Sequence, residues 1–229
     1  MDITKRIFEL QDLKYRDFQL GLTPGLTENY MIGVRTPELR KIAKELEKSG
    51  EADEFISELP HRYFEENQIH AFILSKMKDY DRLSDELERF LPFINNWATC
   101  DQLRPEIFKK HTDEVYEKIK VWVLSDKTYT VRFGLGMLMA YFLDDKFRAE
   151  QHELAVNIVS DEYYINMMRA WYFATALAKQ YEATVEIFEN RRLDSWTHRK
   201  SIQKARESFR VSDEHKIYLN SLKYGTVLL

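Results

Sequence analysis

The sequence predicts an all-α protein, and three observations carry the expectation. Helix breakers are scarce: seven Gly and five Pro in 229 residues, with every Pro inside the first 105. The good helix formers Leu, Glu, Lys, Ala and Arg are plentiful. Helix-start signals then recur at nearly constant intervals, the sequence mark of stacked helix pairs.

Taken in order, residues 2–20 read as one helix with apolar positions Ile3, Ile7, Leu10, Leu13 and Phe18. It stops at Gly21-Leu22-Thr23-Pro24-Gly25, which cannot continue a helix. Thr36-Pro37-Glu38 restarts one, with Thr36 as N-cap and Pro in the first turn, and this helix runs to about Ser49-Gly50. A short helix from Ala52 to Leu59 follows. Beyond it, starts fall at His61, Asn95, Asp126, Asp161 and Ser195, spaced by 34, 31, 35 and 34 residues. Four of the five are ordinary N-cap types, and His61, after Pro60, is the exception.

The clearest repeated pair is Leu124-Ser125-Asp126-Lys127-Thr128-Tyr129 against Val159-Ser160-Asp161-Glu162-Tyr163-Tyr164. Each start opens an aromatic-rich helix of about 15 to 20 residues, followed by a more charged segment such as 80–90, 114–124 or 148–159. A two-helix repeat of this length predicts an α-solenoid of antiparallel pairs, HEAT-like or armadillo-like, with a concave groove. The Trp, Leu-Gly and Tyr pattern of tetratricopeptide repeats is absent. No linker divides the chain, so one domain over 1–229 is expected.

Composition bounds the function. Hydrophobic content of 44% and charge of 31% exclude a disordered chain. One cysteine, Cys100, excludes a disulfide framework and a thiolate zinc site, and fits a reducing cytosol. No signal peptide and no 18-residue apolar run is present, so a soluble, cytoplasmic and monomeric protein is expected, with no membrane partner. The net charge is −4, but 191–210 carries seven Lys/Arg against Asp194 and Glu207. That local excess permits an anionic partner at one face.

Asn95-Asn96-Trp97-Ala98-Thr99-Cys100-Asp101 is the most informative stretch. In a helix Trp97 and Asp101 share a face, an aromatic plane beside a carboxylate. Such a pair suits a flat or sugar-like partner that carries or develops positive charge. Taken singly it is as well explained by a core Trp beside a solvated Asp; the repeats supply the context. Six residues past each start stand Asn67, Asp101, Arg132, Met167 and Ser201, with Trp97 and Trp171 on the same phase and His70, Lys200 and Lys204 one position away or close to it. The row reads as a wet, aromatic-floored groove of mixed charge.

Other chemistries fare worse. The six His show no spacing that puts three metal ligands on one face. Cys100 has no local basic partner and reads as a buried thiol. Gly134-Leu135-Gly136 follows no strand, so it is no phosphate loop; these glycines read as places where a neighbouring helix or a ligand comes close. Met137-Leu138-Met139 and Met167-Met168 read as core. The apolar tail Tyr224–Leu229 reads as a segment that docks or frays.

The groups Asn96–Asp101, Ser125-Asp126 with Val131-Arg132, and Glu162–Ile165 with Ala170-Trp171 resemble the HEAT-like-repeat DNA glycosylases of the AlkD type. The similarity takes in Ile32–Arg40 and covers roughly residues 30–210. It implies hydrolysis of the N-glycosidic bond of cationic N3- or N7-alkylated purines in duplex DNA, without cofactor or metal. By resemblance Asp101 matches the carboxylate that stabilises positive charge on the deoxyribose and positions water. Trp97 and Trp171 match the aromatics beside the sugar, and Arg132 the arginine near the lesion phosphates. Asn67, His70, Arg132, Arg199, Lys200 and Lys204 are the expected DNA-binding side chains. The resemblance also implies a short minor-groove helix ahead of Gly33-Val34-Arg35-Thr36-Pro37, and Gly21–Thr27 reads as a loop that lacks it. The competing reading is a non-catalytic α-solenoid that binds DNA or a protein segment.

Overall fold

The structure, a computed structural model, describes residues 2–223; Tyr224–Leu229, expected to dock or fray, lie outside the described residues. Among the described residues there are fourteen α-helices, three short 3-10 turns and no strand, as the all-α expectation requires. They form two compact units that divide between His111 and Thr112.

The first unit contains α1 (Ile3–Glu9), α2 (Leu13–Leu22), α3 (Thr36–Ser49), α4 (Ala52–Ser57), α5 (Phe64–Lys76), α6 (Tyr80–Phe90) and α7 (Trp97–Gln102). Helix α5 is its axis, packing against α1, α3, α4, α6 and α7. Every residue from Phe64 to Ser75 is buried. A helix covered on all sides shows no apolar stripe, and α5 shows none in its sequence. Helix α3 ends on Gly50 at φ 80°, the left-handed cap that glycine adopts at least cost.

The single helix expected over 2–20 is two. Asp12 breaks it because its carboxylate caps α2, accepting from Tyr15 N at 3.0 Å, while its own N–H donates to Gly33 O at 2.9 Å. Gln11 Nε2 donates to Ile32 O at 3.0 Å. These bonds to a distant loop outweigh one more helical turn. Helix α2 therefore closes the helical stretch expected over 2–20, ending at Leu22, and residues 23–35 form turns and extended chain without a helix.

That loop is held from below by Glu65. Its fully buried carboxylate accepts from the N–H groups of Ile32 (3.1 Å), Gly33 (2.6 Å) and Val34 (3.3 Å). Gly33 sits at φ +97°, and a Cβ there would lie 2.5 Å from Asp12 O, so both the backbone angle and the space demand glycine.

The second unit contains α8 (Thr112–Trp122), α9 (Thr128–Tyr141), α10 (His152–Val156), α11 (Tyr163–Lys179), α12 (Tyr181–Glu189), α13 (Ser195–Glu207) and α14 (Asp213–Leu222). Helix α11 packs against both α9 and α13, and the shorter α8, α12 and α14 pair with them. The helices begin within two residues of the expected starts at Asp126, Asp161 and Ser195. The cap of α13 is Asp194, accepting from Thr197 N at 2.8 Å. Gly134 lies against α8 as expected, since a Cβ there would come within 3.1 Å of Trp122 Cβ and Val123 Cγ1.

Buried imidazoles give each unit a common pH response. His152 bridges Tyr172 Oη (2.8 Å) and Thr184 Oγ1 (3.1 Å), and His61 Nε2 meets His70 Nδ1 at 2.8 Å. Burial pushes His61 and His152 down to about 4 from the ordinary 6.5, and His70 to about 2. A histidine depressed in the folded state stabilises it above the unfolded pKa, and that stability is lost as pH falls toward the folded value. His61 and His152 are each worth roughly 3 kcal/mol across their windows, so the urea midpoint should fall steadily between about pH 6.5 and 5, before most carboxylates titrate. A midpoint constant over that interval would contradict the buried, neutral imidazoles.

Candidate nucleic-acid interface and its carboxylate

Helix α7 carries the candidate residues Trp97 and Asp101 of the first unit. Its cap is Asn96, one residue past the expected start, with Oδ1 accepting from Thr99 N at 2.8 Å. It is six residues long, far shorter than the repeat pattern suggests, because Leu103 and Pro105 turn the chain into the 3-10 stretch Glu106–Lys110. Trp97 and Asp101 are both in it and both half-buried, so they share its face as the spacing requires.

Trp97 is held by two elements. Its indole Nε1 donates to Leu22 O, the last residue of α2, at 2.9 Å. Its ring packs with Leu20 and Leu26 on the cluster of Met31, Phe64 and Ala98. The indole N–H is therefore engaged by the protein, and what the ring offers a ligand is its π surface. The far end of α7 is tied down by Gln102, which donates to Gln68 Oε1 at 2.9 Å and accepts from Arg40 Nη2 at 2.9 Å. Gln68 in turn donates to Thr99 Oγ1 at 3.1 Å. Asp101 thus rises from a helix whose two ends are anchored to α2, α3 and α5.

Two expected DNA contacts in this unit are corrected. His70 has no exposed surface; it stacks on Phe90 with ring centroids 3.9 Å apart and pairs with His61. It is a core residue because α5 is enclosed on every side, a fact that spacing alone could not reveal. Asn67 is also buried, and its Nδ2 turns back to Tyr63 O at 3.0 Å. Neither presents a surface on which a phosphate could rest.

The second unit holds its own, basic group of candidates. Trp171 is 40% exposed and lines a cavity of about 280 Å³ with Lys204, Arg210, Thr175 and Glu207. Lys204 is held below the ordinary lysine range by burial first and then by Lys200 and Arg132, with Glu207 pulling the other way. Three cations therefore act on one another at this surface, and an anion placed there would relieve their repulsion. Arg132 itself is only 4% exposed and donates Nη1 to Tyr164 O at 2.9 Å. Its charge reaches the surface, but its guanidinium is largely enclosed, which departs from an arginine expected to touch DNA. Arg199 is exposed and Lys200 half-exposed.

Several positioning residues escape a reading of the sequence. Glu65 gave only a weak signal, an acid beside Phe64 at the head of the polar run Glu65-Glu66-Asn67-Gln68. Arg169 has a similar signal between Met168 and Ala170; it is buried and pairs with Asp194 at 2.7 Å, binding α11 to the cap of α13. The Leu22 carbonyl that meets Trp97 had no signal, since it joins residues 75 apart. Among the described residues no group of three His, Cys, Asp or Glu is arranged to hold a metal, and no helix is long and apolar enough to cross a membrane.

A family model described as DNA alkylation repair enzyme matches residues 23–209. That span includes Trp97, Asp101, Arg132, Trp171, Lys200 and Lys204. No curated protein matches the chain.

Proposed function

The chain belongs to the DNA alkylation repair enzyme family, and on that premise we propose that it is an AlkD-type DNA glycosylase built of HEAT-like repeats. Its substrate is duplex DNA carrying N3- or N7-alkylpurines. The observation that carries this is the anchored α7, which sets a carboxylate one turn from a half-buried indole. We assign Asp101 the stabilisation of charge on the sugar, and Trp97 and Trp171 the π surfaces offered to it. Lys200, Lys204 and Arg199 contact phosphates, and Arg132 reinforces their field from beneath.

The chemistry needs little more. Alkylation leaves the purine cationic, so when the bond from C1′ to the purine nitrogen breaks, its electron pair neutralises the base. The positive charge passes to the deoxyribose, where a fixed carboxylate and a π face stabilise it. Water then adds to C1′, and its proton goes to Asp101 or to solvent. Gly21–Thr27 lacks the short minor-groove helix that the resemblance puts ahead of Gly33, and the neighbouring α2 orients Trp97 through its last carbonyl. We give α2 the part of the absent helix, so excision is expected.

Incubation with duplex containing N7-methylguanine should release free N7-methylguanine and leave an abasic site. If the wild-type protein binds this duplex but releases nothing, the glycosylase reading fails and a non-catalytic DNA binder replaces it. A binder held through phosphates should weaken with salt at a log–log slope near −0.9 per phosphate contacted.

A further inference from the structure

We propose that a second cleft, on the face of α11 and α13 that carries Tyr163 and Trp196, is a subsite for an unpaired nucleobase and its adjoining phosphate. It rests on reading the basic segment of α13 as DNA-contacting, and not on the glycosylase chemistry. The cleft has a volume of about 430 Å³, within the range that small ligands occupy.

Its lining divides by chemistry. Tyr163 and Trp196 supply two aromatic rings that meet edge to face, with centroids 5.9 Å apart and planes at 67°. Arg199, Lys200 and Lys223 supply positive charge, and no acid lines the cleft. In a chain of net charge −4, a wall with only cationic charges is a local inversion. The nearest acid in the bonding chain is Glu207, which accepts from Gln203 Nε2 at 2.9 Å. Lys200 Nζ donates to Gln203 Oε1 at 3.2 Å, so the Lys200 ammonium is held at the rim.

Core packing does not require these rings to be here. Helix α13 is seated through Thr197, His198, Ser201, Ile202 and Ala205, whereas Trp196 remains 38% exposed and Tyr163 55% exposed. Aromatic rings beside a cationic groove are the arrangement that holds single strands: bases stack on the rings while the backbone follows the charge. In a closed duplex each base face is covered by its neighbours, so this cleft selects a base that is out of the helix or in a single strand. Such a base arises wherever repair or breathing opens the duplex.

The test compares a mixed-sequence single-stranded 12-mer with a GC-clamped duplex of the same sequence, by anisotropy and by tryptophan emission. The single strand should quench emission, and Trp196→Phe should remove most of that quenching. Trp196→Ala should weaken single-strand binding by about 5- to 100-fold, while changing duplex binding less than about twofold. Tyr163→Phe, which keeps the ring, should bind as wild type. Lys200→Ala should lower the salt slope for the single strand by about 0.7. The proposal is overturned if Trp196→Ala affects both DNAs equally, if the strand does not bind, or if polyglutamate displaces it at equal charge. Base release from alkylated duplex, measured in parallel, reports separately on the glycosylase reading; stacking at Trp196 can hold with release absent, and the reverse.

Discussion

Asp101→Asn is expected to slow base release from N7-methylguanine duplex by about 10²–10³, equivalent to roughly 3–4 kcal/mol of barrier. The substitution keeps the size of the side chain and removes its charge. Helix α7 should be undisturbed, because Asn96, Thr99, Gln68 and Gln102 hold its ends and Asn keeps the hydrogen-bonding shape of Asp. The loss should therefore appear in single-turnover rate with duplex affinity unchanged or slightly improved, since one negative charge facing the phosphates has gone. Release at the wild-type rate would remove Asp101 from the chemistry. A parallel loss of thermal stability would show instead that the carboxylate serves the fold.

Glu65→Ala should destabilise the first unit by about 3–5 kcal/mol, the cost of leaving three buried N–H groups without an acceptor. A protein of this size should then melt roughly 10 °C lower. Glu65→Gln is the informative control. Burial pushes the Glu65 carboxyl above the ordinary glutamate range even though the backbone N–H groups of Gly33, Ile32 and Val34 pull it down. The negative charge is thus a cost in this site, and the acceptor oxygen is what the fold needs. Gln retains an acceptor and carries no charge, so it should lose less than half of what Ala loses. Equal losses for both would assign the stabilisation to the charge. Because Glu65 seats the loop that positions α2, and α2 ends on the carbonyl that meets Trp97, Glu65→Ala should also perturb Trp97 emission.

Much of the architecture was legible from the chain alone. The recurring starts place α9, α11 and α13 to within two residues, because each follows a loop too polar to continue a helix and too short to do anything else. Trp97 and Asp101 were placed together by the period of the helix itself. Where the reading missed, a partner distant in sequence had intervened. The shortness of α7 is the exception, set by the local turn from Leu103 to Pro105, whereas the break after Glu9 depends on Ile32 and Gly33. The assignment of His70 to a groove failed for the same reason, since one phase along a helix does not say which side a neighbour will cover.

Local spacing by itself therefore determined the helical class, the order of the elements and the pairing of an indole with an acid, since each depends on residues within one or two turns. Tertiary packing alone decided which of the polar candidates face water. It enclosed His70, Asn67 and most of Arg132, left Trp171 and Trp196 partly open, and gave the Trp97 indole its carbonyl. Exposure is a property of what lies opposite a side chain, and for Arg132 and Trp97 that is a residue 32 or 75 positions away.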